Sequence, residues 1–254
     1  MMVALRSRLV ASGLHLAISG VVALAAGAVV FLLWYPSPFD DMAGGFSLFF
    51  LVVTVDVVMG PLLTAVVFNK AKPKGELVRD LGVIAVMQIC ALVYGLNSIY
   101  EARPVLLSFE VDRFRLISAA DVQTEELMKA PTGFQTLSLS GPRLVAAPKP
   151  QDPDEQLRSI DLGLKGIDLS MVPRYWQPYE PHAAQALRRA RPVDLLVQRD
   201  GRLAAPLGKA AERAGVPVEA LRFLPLQSRR ASWVILLEPA HGQPIGYLPV
   251  DGFF

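Results

Sequence analysis

Three apolar runs in the first hundred residues constrain this chain more than anything else in it. They cover 14–34 (LHLAISGVVALAAGAVVFLLW), 46–68 (FSLFFLVVTVDVVMGPLLTAVVF) and 81–100 (LGVIAVMQICALVYGLNSIY). A helix needs about 20 apolar residues to cross about 30 Å of hydrocarbon, and each run supplies them. Backbone amides in lipid must pair within their own segment, so the runs are expected to form three transmembrane α-helices. Arg6 and Arg8 precede the first run, as basic residues precede a secretory leader. Its apolar length exceeds the roughly 7–15 residues of such a leader, so it reads as an uncleaved anchor.

Polarity is divided along the chain. Residues 1–100 hold 6 of the 25 Lys and Arg and 5 of the 23 Asp and Glu; residues 101–254 hold the rest. An apolar front is joined to an ordinary, water-compatible back. That division excludes a soluble single-domain enzyme, a disordered chain and a disulfide scaffold. The single cysteine, Cys90, has no internal partner and reads as a small hydrophobe. A net charge of +2 makes no case for nucleic acid as a partner.

The loops between the runs indicate orientation. Lys70, Lys72, Lys74 and Arg79 lie between the second and third runs, and Arg6 and Arg8 lie before the first. The stretch 35–45 carries Asp40 and Asp41 and no base. Lys and Arg mark the cytoplasmic side. The N-terminus is therefore expected inside and residues 101–254 outside, with Trp34, Tyr35 and Tyr100 as an outer aromatic belt.

Polar residues within the runs are the candidate site. Asp56 lies near the middle of the second run, where a carboxylate costs at least about 2.5–3.5 kcal/mol. Asp56, Gly60 and Thr64 recur every four residues and share a helix face. Pro61 cannot donate to the carbonyl of Val57, so a kink is expected there. Gln88, Ala91, Gly95 and Ser98 form a small and polar stripe on the third run, and such faces let membrane helices approach closely. Antiparallel second and third helices would bring Gln88 to the depth of Asp56, and a contact is expected. Three readings of Asp56 stand side by side: it joins the three helices, it contacts a membrane helix of another protein, or it lies on a proton or ion path.

The stretches VDVVMGPLLTAVVFNK (55–70), RDLGVIAVMQ (79–88) and YGLNSIYEARPVLLSFEVDRFRLISAADV (94–122) resemble the type IV pilin accessory proteins of the TfpX/TfpZ family. PRYWQPYE (173–180) and GYLPVDGFF (246–254) extend the likeness over most of the chain. The resemblance implies an inner-membrane, multi-pass protein with a periplasmic C-terminal domain that promotes assembly or display of a type IV major pilin. It implies no catalytic residue. Asp56, Gly60, Pro61, Arg79 and Asp80 match the family pattern without assigned roles. The expected partners are the pilin, the lipid bilayer and, as an alternative, the pilus assembly platform. The leading function is that of an assembly accessory or chaperone; a structural or regulatory platform subunit and a pilin-modifying enzyme are the alternatives.

The outer part, 101–254, is long enough for one core and mixes short strands and helices, which argues an α+β domain. Residues 105–109 and 111–117 read as strands, with a bulge or bend near 112–113. Ser118 and Asp121 are spaced as a capping box opening a short helix to about 130. Strand candidates follow at 136–140, 143–147 and 193–198, and a hairpin at 233–238 and 245–250. Helices are expected over 154–164, 182–191 and 206–214, the last closed by Gly215. Tyr175, Trp176 and Tyr179 form either a partner-docking surface or a cover for the domain's own core. Arg188, Arg189 and Arg191 read as a solvated face, or alternatively as a phosphate or headgroup site. His15, His182 and His241 stand in unrelated contexts, and no zinc spacing, phosphate loop or nucleophile elbow is present. The chain is therefore expected to be no enzyme, with no cofactor and no metal.

Overall fold

A computed structural model describes residues 2–254, with side chains from Leu5 onward. The chain divides into two compact units, Met1–Ala102 and Arg103–Phe254.

In the first unit, helix α1 (Met2–Val29) runs into a π-helical turn, Val30–Trp34. A short helix α2 (Phe39–Ala43) ends on Gly44, whose φ of 73° lets the chain reverse into α3 (Gly45–Thr54). A second π-helical turn, Val55–Met59, joins α3 to α4 (Gly60–Val67), and α5 spans Lys74–Glu101. Three stretches, Leu5–Trp34, Gly45–Val67 and Lys74–Glu101, are long and apolar enough to cross a membrane. The helices extend past the apolar runs, because helical hydrogen bonding does not end where apolarity ends. Thus α5 starts at Lys74, directly after Pro73, whose missing N–H suits a helix start.

Val30, Tyr35 and Ile99 form the packed centre at one end of this unit. Tyr35 has no exposure, and its hydroxyl donates to the carbonyl of Ile99 at 2.8 Å. Gly45 lies beneath the ring; a Cβ there would come within 2.5 Å of Tyr35. Trp34 and Tyr100 meet edge to face with centroids 5.1 Å apart.

In the second unit, eight strands form one mixed sheet among the described residues. They are β1 (Pro104–Glu110), β2 (Arg113–Ser118), β3 (Arg143–Ala146), β4 (Gln177–Pro178), β5 (Arg191–Pro192), β6 (Arg222–Gln227), β7 (Ser232–Leu237) and β8 (Pro244–Leu248). The order is β4-β3-β1-β2-β6-β7-β8, with β5 pairing β6 as well. Pairs β1–β3 and β2–β6 are parallel, and β1–β2, β6–β7 and β7–β8 are antiparallel. Helices α6 (Pro153–Leu164), α7 (Ala183–Arg189), α8 (Asp194–Arg199) and α9 (Ala204–Ala214) complete the α+β unit. Asp152 caps α6 by accepting from the N–H groups of Asp154 and Glu155, and α9 closes on Gly215 at φ 67°.

Two cores lie against the sheet. Leu196 of α8 and Leu207 and Ala211 of α9 cover Phe223, Val234, Leu236 and Leu248. Trp176 covers Val105, Ile117 and Val145.

Four expectations are corrected. The bend near 112–113 is a hairpin tip: Glu110 pairs with Arg113, and Asp112 N–H donates to Glu110 O at 2.6 Å. Val111 sits between them at φ 57°, a left-handed conformation that costs a β-branched residue about 1–3 kcal/mol. Residues 193–198 are helical, as α8, because Val193 and Leu196 are the buried pair and lie three apart. The stretch 136–140 is not a strand, and the Ser118–Asp121 capping box opens only a 3-10 turn, Ala119–Asp121, before a second one at Thr124–Lys129. β6 was not expected, because Pro225 interrupts it; Pro225 falls between the β5 pairing at 222–223 and the β2 pairing at 226–227.

Candidate helix-contact site

The π-helical turn at Val55–Met59 and Pro61 act together on one carbonyl. A π-turn pairs each N–H with the carbonyl five residues back. Residue 61 would serve Asp56 in that scheme, and a proline has no N–H to give. The amide of Gln88 on α5 fills the gap, donating from Nε2 to the main-chain oxygen of Asp56 at 3.0 Å. Gly60 makes room for it, since a Cβ there would lie 2.1 Å from Gln88 Nε2.

The other expected residues fall on two neighbours rather than one. Thr64 is buried and faces α1, where its Oγ1 lies 2.6 Å from His15 Nδ1. The carbonyl of Pro61 accepts from Ser12 Oγ, also on α1, at 2.8 Å. Gly95 faces α3, and a Cβ there would lie 2.6 Å from Val52 Cγ1. The Asp56–Gly60–Thr64 stripe therefore serves α5 at one end and α1 at the other. His15 and Ser12 were missed, because their partners lie 49 residues away and no local spacing announces them.

The Asp56 side chain takes part in none of these bonds. It is half-buried, and its Oδ1 has no hydrogen-bond partner. It borders a cleft of about 230 Å³ that His15, Ser19 and Gln88 also line. A second cleft of about 300 Å³, lined by Val52, Tyr94 and Gly95, reaches Asp56 from the other side.

In the sheet unit the expected docking aromatics are core, which corrects that reading. Tyr175, Trp176 and Tyr179 are 8%, 1% and 0% exposed. Trp176 Nε1 donates to Ser170 O at 2.8 Å, and Tyr179 donates from its hydroxyl to Gly242 O at 2.6 Å. The Tyr179 ring packs on Phe109 and Phe114. Burial and the neighbouring Glu155 carboxylate push the Tyr175 hydroxyl up to about 12, so it stays a donor to Glu155 Oε2 at 2.5 Å. Arg188 and Arg189 are exposed, whereas the Arg191 guanidinium lies over the rings of Phe223 and Phe254.

Several charged groups in this unit are paired. Arg174 donates to both oxygens of Glu126 at 2.5 Å and holds that carboxyl below the usual range. Burial pushes Glu110 up, opposed by the Ser170 hydroxyl, which donates to Glu110 Oε2 at 2.7 Å. Among the described residues no three His, Cys, Asp or Glu side chains gather as a ligand set for a metal.

A family model described as fimbrial assembly protein FimB matches residues 3–44. Over 232 residues the chain is 34% identical to the fimbrial assembly protein of serogroup E1 from Dichelobacter nodosus, covering 89% of each chain. The chain belongs to the fimbrial assembly protein family. The serogroup I fimbrial assembly protein of the same organism is 31% identical over 229 residues, again 89% of each chain. The protein of serogroups C1 and C2 is 40% identical over 119 residues, 91% of its own length and 47% of this chain. No solved structure matches. The stretch that fits the fimbrial assembly family model contains Ser12 and His15, which meet Pro61 and Thr64, and Tyr35, which donates to Ile99.

Proposed function

We propose that this chain is an inner-membrane accessory protein, of the type IV pilin accessory kind, that promotes assembly of a pilin into a fimbria. One observation carries the reading: similarity to a fimbrial assembly protein at 34% identity over 89% of both chains. Three helices of membrane-spanning length agree with a partner that is itself anchored in lipid.

In this reading the N-terminus is cytoplasmic, because Arg6, Arg8, Lys70, Lys72, Lys74 and Arg79 flank that side and Asp40 and Asp41 flank the other. The sheet unit then stands in the periplasm. The helices meet the membrane helix of the major pilin, and the sheet unit meets its folded head. The protein acts by contact rather than by catalysis, as a chaperone that keeps a subunit oriented until the assembly machine takes it.

Affinity capture of the full chain from detergent-solubilised membranes tests this. Co-elution of the pilin is the expected result. Capture of the assembly platform without pilin would replace it with a platform-subunit reading. A change in pilin mass on deletion of this chain would replace it with a modifying enzyme. A reporter active only in the cytoplasm, fused after Phe254, is expected to stay silent; a lit reporter would overturn the topology.

A further inference from the structure

Three buried side-chain oxygens lack a hydrogen-bond partner among the described residues: Asp40 Oδ1, Asp56 Oδ1 and Ser108 Oγ. Asp56 differs in what surrounds it. Ser108 is sealed inside β1 with no exposure, and Asp40 lies in the first turn of α2. Asp56 opens on the two clefts, and the neighbours that hydrogen-bond within the unit are turned away from its carboxyl, while Ser19 lines one of these clefts without bonding Oδ1. Gln88 gives its amide to the Asp56 main chain rather than to the carboxyl. His15 is turned to Thr64, and Ser12 to Pro61. A desolvated polar atom without a partner is costly, and a carboxyl at membrane depth is among the costliest side chains to insert. A chain that keeps such a cost at one position, while satisfying its neighbours, is built for something not yet bound there.

The clefts restrict what that is. The walls around Asp56 are mostly aliphatic, from Ile18 and Val22 of α1, Val53 of α3 and Ile89 and Leu92 of α5, with His15, Ser19 and Gln88 as the polar members. The smaller cleft, about 230 Å³, exceeds the roughly 10–15 Å³ that one water needs and has room for a side chain. A lipid tail would suit the walls and leave the carboxyl unmet. A free hydrated cation would suit the carboxyl and not the walls. The geometry points to a socket for a partner's membrane helix that is apolar apart from one N–H or O–H donor, which docks on Asp56. Hydrogen bonds between helices in lipid are worth enough to bias pairing but not to lock it, as a protein that must release its partner requires. The inference rests on the reading that these helices meet a pilin's helix, and it adds the chemistry of the contact.

The test places a photoreactive amino acid at Ile89, on the wall of the cleft, in the full chain in living cells. Irradiation is expected to give a pilin adduct. Asp56→Leu is expected to lower its yield about three- to thirty-fold, and Asp56→Asn, which keeps an acceptor oxygen, to restore part of it. Detergent-solubilised Asp56→Leu should melt no lower than the native chain, since Gln88 bonds the main chain and not the side chain. A lower melting point would mean that the carboxyl serves the protein's own fold, and would overturn the socket. A pilin adduct unaffected by Asp56→Leu would overturn the socket and leave the pilin contact standing. An Asp56-dependent adduct with the platform, or with a second copy of this chain, would keep the socket and overturn the pilin reading. Adducts with lipid alone would overturn both.

Discussion

In the sheet unit the large side chains point inward: Trp176, Phe114 and Phe223 have almost no exposure. In the helical unit Leu24, Leu32, Phe50 and Tyr94 lie on the outside, and the groups that hold helices together include His15, Thr64, Gln88 and the Tyr35 hydroxyl. The sheet unit gains from removing apolar surface from water. The helical unit has no such gain in lipid, where packing of small residues and a few hydrogen bonds decide which helices pair. The same side-chain types therefore mean different things in the two units. An exposed Leu is normal in one and a buried carboxylate is normal in neither. Specificity in the helical unit rests on a handful of polar atoms, and each is individually testable.

The largest expected effect is on the sheet unit. Trp176→Ala removes an indole that packs on Val105, Ile117 and Val145, and should cost about 3–5 kcal/mol in denaturant unfolding of the detergent-solubilised chain. The larger part of the helical signal in far-UV circular dichroism, which comes from α1–α5, should survive that transition, with only the share of α6–α9 lost. Its simultaneous loss would mean that the two units are not separate packing problems. A smaller effect is expected from Gly95→Val, which drives a branched side chain into Val52 and should cost about 1–3 kcal/mol. Thermal melting of the helical signal reads it, and a neutral result would show that α3 and α5 do not need their close approach.

The smallest effect is electrostatic and confined to the sheet unit. Burial raises the Glu110 carboxyl above its ordinary 4.5. Between the ordinary value and the raised one, the folded chain keeps a proton that the unfolded chain has released. This contribution is therefore complete below the ordinary carboxylate range and is lost as pH rises through that window. Glu126, held low by Arg174, works in the opposite sense, and its contribution is lost as pH falls. Melting temperatures taken from pH 4 to 7 should fall more gently with rising pH in Glu110→Gln than in the native chain. Parallel profiles would show that Glu110 is not desolvated in solution.

The two units were unequally readable in the sequence. Apolar length alone announces a lipid-compatible helix, because the requirement is set by hydrocarbon thickness and not by neighbours. The Asp56–Gln88 proximity followed from the antiparallel order of two long helices. His15 did not, because its role depends on which face of α1 meets Thr64, and that is decided by packing. In the sheet unit, local signals sufficed where they were self-contained, as with Gly215 at the end of α9. They failed where burial decides. Tyr175, Trp176 and Tyr179 have the composition of a docking surface and of a core cover alike, and only the position of β1 and β3 separates the two. Pro225 hid β6 because a proline is tolerated in a strand only where no neighbour needs its N–H, and the gap it occupies is made by β2 and β5, distant in sequence.

Val111 shows how the hairpin between β1 and β2 is governed. A valine in a left-handed corner means the strands impose their register on the tip, since a valine would not choose that corner unaided. The pairing in the middle of the hairpin must therefore outweigh the penalty at its end. Breathing of this sheet should accordingly start at Glu110–Arg113, whose amides ought to take up deuterium well before those of Leu106 and Leu107.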